Sequence, residues 1–158
     1  MNLDDMYQEV ILDHYRSPHG RGLSSDFDAE VHHVNPTCGD EITVRVKLDN
    51  DGTTLRVAEV SHEGQGCSIS QASASVMYDQ INGQSLRDAM AAVDEFGALM
   101  KSATTDYEAN EDILGDAIAF VGVARYPERI KCALLAWMAF KDAAAQATAV
   151  AQAGEGQS

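Results

Sequence analysis

Apolar residues recur along the chain at two different intervals, and the change from one to the other separates helices from strands. Near the start, Met6, Tyr7, Val10, Ile11 and Leu12 fall at helical spacing and predict a helix from Asp4 to Tyr15, which Ser17-Pro18 and His19-Gly20 bring to an end. The stretch from Ser17 to Phe27 reads as a loop. The interval then shortens to two: Ile42, Val44, Val46 and Leu48 predict a strand from Glu41 to Leu48, with strand-like runs from Ala29 to Val34 and from Leu55 to His62 on either side. Asn50-Asp51-Gly52 is a hairpin signal between the second and third runs. The first break, Asn35-Pro36-Thr37-Cys38-Gly39-Asp40, is dense in turn residues.

Beyond Gly64-Gln65-Gly66-Cys67-Ser68 the helical interval returns. It predicts helices from Ile69 to Ile81, from Ser85 to about Met100, from Glu111 to Ala124 and from Pro127 to about Ala147. Ser85 with Asp88 forms an N-terminal capping pattern, and Pro127 suits a first helical turn. The polar stretch from Lys101 to Asn110 reads as a connection. Strands first and helices afterwards indicate an α+β fold, a small three-stranded antiparallel sheet packed against several helices. With no repeat and no second composition regime, residues 1–148 are expected to form one domain and 149–158 a disordered polar tail.

Composition narrows the functional classes. At 158 residues and 45% hydrophobic, the chain is large enough to bury a core without disulfides. Eleven basic residues against 25 acidic ones give a formal net charge of −14, which repels a phosphate backbone and argues against nucleic acid as a partner. The first residues are acidic where a signal peptide is basic, and no apolar run approaches a membrane span, so a cytoplasmic protein is expected. Three cysteines in that compartment are buried hydrophobes, reactive thiols or metal ligands.

Their settings favour chemistry without deciding it. Cys38 and Cys67 each sit beside glycine in a turn, where the backbone can bend to aim a side chain, and Cys132 lies in the last long helix. Asp40 follows Cys38 across Gly39. Thiolates and a carboxylate make a tetrahedral zinc donor set, but no paired CxxC spacing is present, and on spacing alone scattered buried thiols remain an alternative. Arg129, three positions before Cys132, shares its helix face and is placed either to stabilise a thiolate or carboxylate or simply to face solvent. His32 and His33 point to opposite faces of a strand, so no more than one can approach such a site. His14, His19 and His62 carry no signal of their own.

Three segments together decide how the cysteines are read. Asn35-Pro36-Thr37-Cys38-Gly39-Asp40, Gly64-Gln65-Gly66-Cys67-Ser68-Ile69-Ser70 and Arg129-Ile130-Lys131-Cys132-Ala133 resemble the signature segments of the IscU/NifU N-terminal scaffold family. The opening segments Leu3-Asp4-Asp5-Met6-Tyr7 and Ile11-Leu12-Asp13-His14-Tyr15-Arg16-Ser17-Pro18 resemble its first helix. Lys131 stands where the IscU members carry histidine, and the interval between Cys67 and Cys132 is longer than theirs, so the chain is most similar to the SufU branch.

That resemblance implies zinc held by Cys38, Asp40, Cys67 and Cys132, with Cys38 accepting persulfide sulfur and Arg129 assisting. It implies a zinc-dependent sulfurtransferase of iron–sulfur cluster assembly, working with a SufS-like cysteine desulfurase and passing sulfur on toward Suf scaffold proteins. The alternative is a scaffold on which an iron–sulfur cluster is built on the same ligands and then transferred. A zinc ion that only stabilises the fold is a third reading, disfavoured by the donor set.

Overall fold

The computed structural model describes residues 2–50 and 52–155. Its elements run α1 (Leu3–Arg16), β1 (Ala29–Asn35), β2 (Asp40–Asn50), β3 (Leu55–Gln65), α2 (Ser68–Ile81), α3 (Leu86–Met100), α4 (Glu111–Leu114), a 3₁₀ segment (Gly115–Arg125) and α5 (Pro127–Glu155). The strands form one antiparallel sheet in the order β1-β2-β3, the expected α+β architecture.

Period-two alternation in β2 does more than make a strand. Asp40, Ile42, Val44, Val46 and Leu48 all lie on the buried face while the residues between them are more exposed. Alternation places Asp40 in register with the core, so a carboxylate occupies a position that the pattern otherwise reserves for aliphatic side chains. Asn35 pairs with Asp40 at the end of the β1–β2 ladder, and β3 continues to Gln65 opposite Glu41, three residues past the predicted end. The sheet edge next to Asp40 is thereby extended. Asp51, the middle of the predicted hairpin turn, lies outside the described residues.

Helix α5 covers β1 and β2, and α2 packs against it. Its buried positions Ala133, Ala136, Ala139, Ala143 and Ala147 are small enough for a close approach to the sheet, while Trp137 and Phe140 fill the space beside them. Trp137 stacks on Phe96 of α3 with ring centroids 4.4 Å apart. Its indole N–H donates to Ser73 Oγ at 3.0 Å, and that hydroxyl donates to the Ala133 carbonyl at 2.6 Å. A polar seam inside the core therefore fixes α2 against α5, and those two helices carry Cys67 at their junction with β3 and Cys132.

Two expectations need correction. The helix predicted from Glu111 to Ala124 is a single α-turn followed by a long 3₁₀ segment, because Gly115 takes φ +50° and breaks the ladder. Leu114, Ala117, Phe120 and Val123 are buried at intervals of three, the repeat at which side chains eclipse in a 3₁₀ helix. The final helix runs to Glu155, beyond the expected end near Ala147; residues 156–158 lie outside the described residues. Seven alanines between positions 143 and 153 make that continuation favourable.

The seam makes a stability claim. Ser73→Ala strands the indole N–H in a fully buried site, and a loss of about 1–3 kcal/mol is expected in urea unfolding with the denaturant slope unchanged.

Candidate metal centre

The β1–β2 connection positions two donors at once. The Gly39 N–H donates to the Asn35 carbonyl at 2.9 Å, and Gly39 takes φ +72°, a conformation that side chains disfavour. The turn brings Cys38 back over the start of β2, where its Sγ lies 3.0 Å from Asp40 Oδ2. Asn35 Nδ2 donates to the same sulfur at 2.9 Å.

Cys67 arrives from β3 as the N-terminal cap of α2, at the positive end of that helix. Its backbone N–H donates to Asp40 Oδ1 at 2.9 Å and its Sγ is 3.8 Å from Oδ2. Ser70, one turn on, donates to the Cys67 carbonyl at 3.0 Å and reaches the thiol at 3.9 Å. Gly66 makes this approach possible: at φ +153°, a Cβ there would lie 2.2 Å from Asp40 Oδ1 and 2.7 Å from Ser70 Oγ. Cys132 reaches in from the second turn of α5, with its Sγ 3.2 Å from that of Cys38 and 3.8 Å from the Glu128 carbonyl.

Four potential donors thus converge from three loops or helix ends. Those of Cys38, Asp40 and Cys132 all lie within 4.8 Å of one another. Cys67 joins from the carboxylate side and is exposed, as is Cys38, while Cys132 is buried. Asp40 is fully buried.

The charge balance is unusual. No ion pair among the described residues involves Asp40. Burial pushes its carboxyl up, but hydrogen bonds from Cys38, the Cys67 N–H, Cys132 and Ser70 outweigh this and hold it below the usual carboxylate range. The cost falls on the thiols. Donation to Asp40, followed by burial, raises Cys38, and burial followed by donation to Asp40 and Cys38 raises Cys132 strongly. Without a cation the cluster holds one negative charge and keeps these two thiols protonated. Tetrahedral zinc–sulfur and zinc–oxygen bonds would set donors about 3.5–3.8 Å apart. The donors of Cys38, Asp40 and Cys132 lie near that spacing, while Cys67 Sγ, 3.8 Å from Asp40 Oδ2, stands outside their group, so the donor types fit a divalent cation in place of the thiol protons once Cys67 closes on it.

Arg129 stands apart from this group. It is exposed, its guanidinium lies 5.6 Å from the Tyr126 ring centroid, and it lines a groove with Asp4, Tyr7 and Gln8 of α1. Lys131 is exposed. His32 bonds Thr43 Oγ1 and His33 bonds Asp142, on opposite sides of β1, so neither joins the cluster. Sequence reasoning assigned no role to Asn35 or Ser70, and to Gly66 only the freedom to bend the backbone beside Cys67. Ser70 had a weak signal in its position three after a helix-capping residue; the contact from Asn35 depends on how the turn closes.

Comparison with known proteins places this geometry. Residues 6–133 match the model of the NifU-like N-terminal domain. The chain belongs to that family. It is 41% identical to the zinc-dependent sulfurtransferase SufU of Bacillus subtilis over 92% of its own length and 93% of that protein's. It is 38% identical to the iron–sulfur cluster assembly scaffold protein IscU of Streptococcus pyogenes, covering 89% and 84% of the two chains. Among solved structures it resembles a protein described as an iron–sulfur cluster assembly scaffold for the SUF system from Fervidobacterium islandicum, with TM-score 0.77, 32% identity and coverage of 90% and 98%. A NifU-like N-terminal domain from Brucella abortus also gives a TM-score of 0.77, at 27% identity, with coverage of 92% and 96%. The sheet-and-helix frame is thus the one shared by these NifU-like relatives.

The role of Gly66 is open to test. Gly66→Ala must displace Asp40 or Ser70 and holds alanine in a disfavoured conformation, so metal affinity is expected to fall at least tenfold by competition with a chelator, with far-ultraviolet circular dichroism unchanged.

Proposed function

We propose that this chain is a zinc-dependent acceptor of persulfide sulfur in iron–sulfur cluster assembly, acting in the cytoplasm with a SufS-like cysteine desulfurase. The observation that carries the reading is the buried Asp40 carboxylate, faced by three thiols and by no cationic side chain among the described residues. Cys38, Asp40, Cys67 and Cys132 would hold the ion. The named activity of the Bacillus subtilis relative supports the choice of zinc and of sulfur transfer. Bound zinc would keep the ligating thiols deprotonated near neutral pH.

Cys38 is the acceptor: Cys132 is buried, and of the two exposed thiols Cys67 is fixed at the cap of α2 whereas Cys38 stands at the tip of a turn. The Cys38 thiolate attacks the terminal sulfur of the partner's protonated cysteine persulfide. One sulfur–sulfur bond forms, the partner's breaks, and the partner cysteine leaves as a thiolate with the bonding electron pair. The proton remains on the transferred sulfur, and no external oxidant or reductant takes part. Asn35, donating to Cys38 Sγ, holds the nucleophile in place. Asp40 keeps a hard oxygen in a sulfur-rich set, which leaves Cys38 exchangeable.

Arg129 acts later in this scheme than a resting ligand would. Exposed and without a carboxylate partner among the described residues, it receives the anionic group brought by the desulfurase. Sulfur on Cys38 then passes toward Suf scaffold proteins.

Incubation with a cysteine desulfurase and cysteine, followed by mass spectrometry of the intact chain, is the test. One added sulfur located on Cys38 is expected, with none in Cys38→Ser. Arg129→Gln should accept sulfur several-fold more slowly with its zinc content unchanged. An Asp40→Ala protein that kept its zinc and the full acceptance rate would remove Asp40 from this account. Bound iron with acid-labile sulfide and no transfer to Cys38 would instead favour the scaffold reading that the IscU relative suggests.

A further inference from the structure

A second group of metal-ligating side chains lies elsewhere on the molecule, where α1, the loop after it, α2 and the 3₁₀ segment meet. His14 comes from the last turn of α1, His19 from the loop, Asp79 from α2 and Asp116 from the first turn of the 3₁₀ segment. His19 Nδ1 is 2.8 Å from both oxygens of Asp79. His14 Nε2 is 3.0 Å from Asp116 Oδ2 and 4.0 Å from Asp79 Oδ2. The two imidazoles meet edge to face with centroids 5.0 Å apart. Donor atoms of His14, His19 and Asp79 all fall within 4.8 Å of one another.

The surroundings fix this arrangement independently of any ion. His14 is buried and its Nδ1 lies 2.6 Å from Ser75 Oγ, which also accepts the His19 backbone N–H at 2.8 Å. One hydroxyl therefore orients the first imidazole through its far nitrogen and holds the chain that presents the second, the kind of outer contact that metal-ligating histidines make. His62 Nε2 donates to the His19 carbonyl at 2.8 Å, and the His62 N–H donates to the Gly20 carbonyl at 3.1 Å. Gly20, at φ +74°, is pressed against Tyr78 so closely that a Cβ would lie 2.1 Å from the ring. That contact sets His19 over Asp79, the next residue of α2.

Among the described residues, Asp79 and Asp116 pair only with these histidines, and no lysine or arginine reaches them. With both imidazoles neutral the group carries two negative charges, the complement of one divalent cation. Tetrahedral bonds of about 2.0–2.1 Å place ligand atoms about 3.3 Å apart, between the 2.8 Å of the His19–Asp79 pair and the 4.0 Å of the His14–Asp79 pair. The side chains of His19 and Asp116 are 51% and 57% exposed, so an ion can enter from solvent through the cleft they line with Asp13 and Arg16.

We propose that His14, His19 and Asp79, with Asp116 held against His14, form a second binding site for a divalent transition-metal ion, with zinc the best match to two imidazoles and a carboxylate. The site clamps the end of α1 to α2 and to the 3₁₀ segment. It shares no residue with the thiol cluster.

Zinc titration of the chelator-treated full chain, followed by calorimetry and by the histidine side-chain NMR resonances, tests the site. The wild-type chain is expected to bind a second equivalent that shifts His14 and His19 together. His19→Ala should lose that equivalent and retain the other, and Asp79→Asn should weaken it at least tenfold. A variant with Cys38→Ser, Cys67→Ser and Cys132→Ser together separates the two sites: it should still bind one equivalent, with the same histidine shifts. A folded triple variant that binds no zinc overturns the proposal, as does a wild-type chain whose bound zinc leaves both histidines unmoved. Should the wild-type chain bind a single equivalent that moves the histidines, this site stands and the thiol site falls.

Discussion

A carboxylate in register with the hydrophobic core is the constraint on which the rest of this molecule depends. Asp40 sits where strand alternation demands an apolar residue, and no lysine or arginine among the described residues pairs with it. Burying such a charge is unfavourable by several kcal/mol unless it is paired or ligates a metal. The turn at Gly39, the close passage at Gly66 and the cap position of Cys67 all bring hydrogen bonds or sulfurs to this one group. Protonated thiols satisfy it without a cation, and a cation would release their protons. The same group therefore relates stability, metal affinity and thiol reactivity.

The frame that holds these elements is stiff where the site needs stiffness. The Ser73 hydroxyl links the Trp137 indole to the α5 backbone, so the helix bearing Cys132 cannot slide on α2 without breaking two buried hydrogen bonds. Cys38, by contrast, is exposed on a short turn. Enclosed and open thiols side by side suit a centre in which one sulfur reacts while the others stay in place.

Much of this frame was legible in the residues. The two-residue interval in β2 identified the strand, but Asp40 was read as the end of the preceding turn, so its place on the buried face with Ile42 and Val44 emerged only from the structure. The three cysteine-bearing segments supplied the candidate donors, although their spacing could not show that Cys38 and Cys132, distant in sequence, lie 3.2 Å apart. The 3₁₀ segment was misread because its apolar residues satisfy a helical interval almost as well as an interval of three, and only the break at Gly115 distinguishes them. Arg129 was placed by helical spacing beside Cys132, whereas its long side chain turns to Tyr126 and the groove along α1. The His14, His19 and Asp79 group left no sequence trace, since its members come from separate elements joined by tertiary packing.

X-ray absorption at the zinc edge tests the central claim most directly, using the His19→Ala protein loaded with one equivalent so that the thiol cluster alone is observed. The expected spectrum contains three sulfur neighbours at about 2.3 Å and one oxygen at about 2.0 Å, with the oxygen contribution lost or replaced in Asp40→Ala. A shell of nitrogen and oxygen without sulfur, or a spectrum unaltered by Asp40→Ala, would contradict the account.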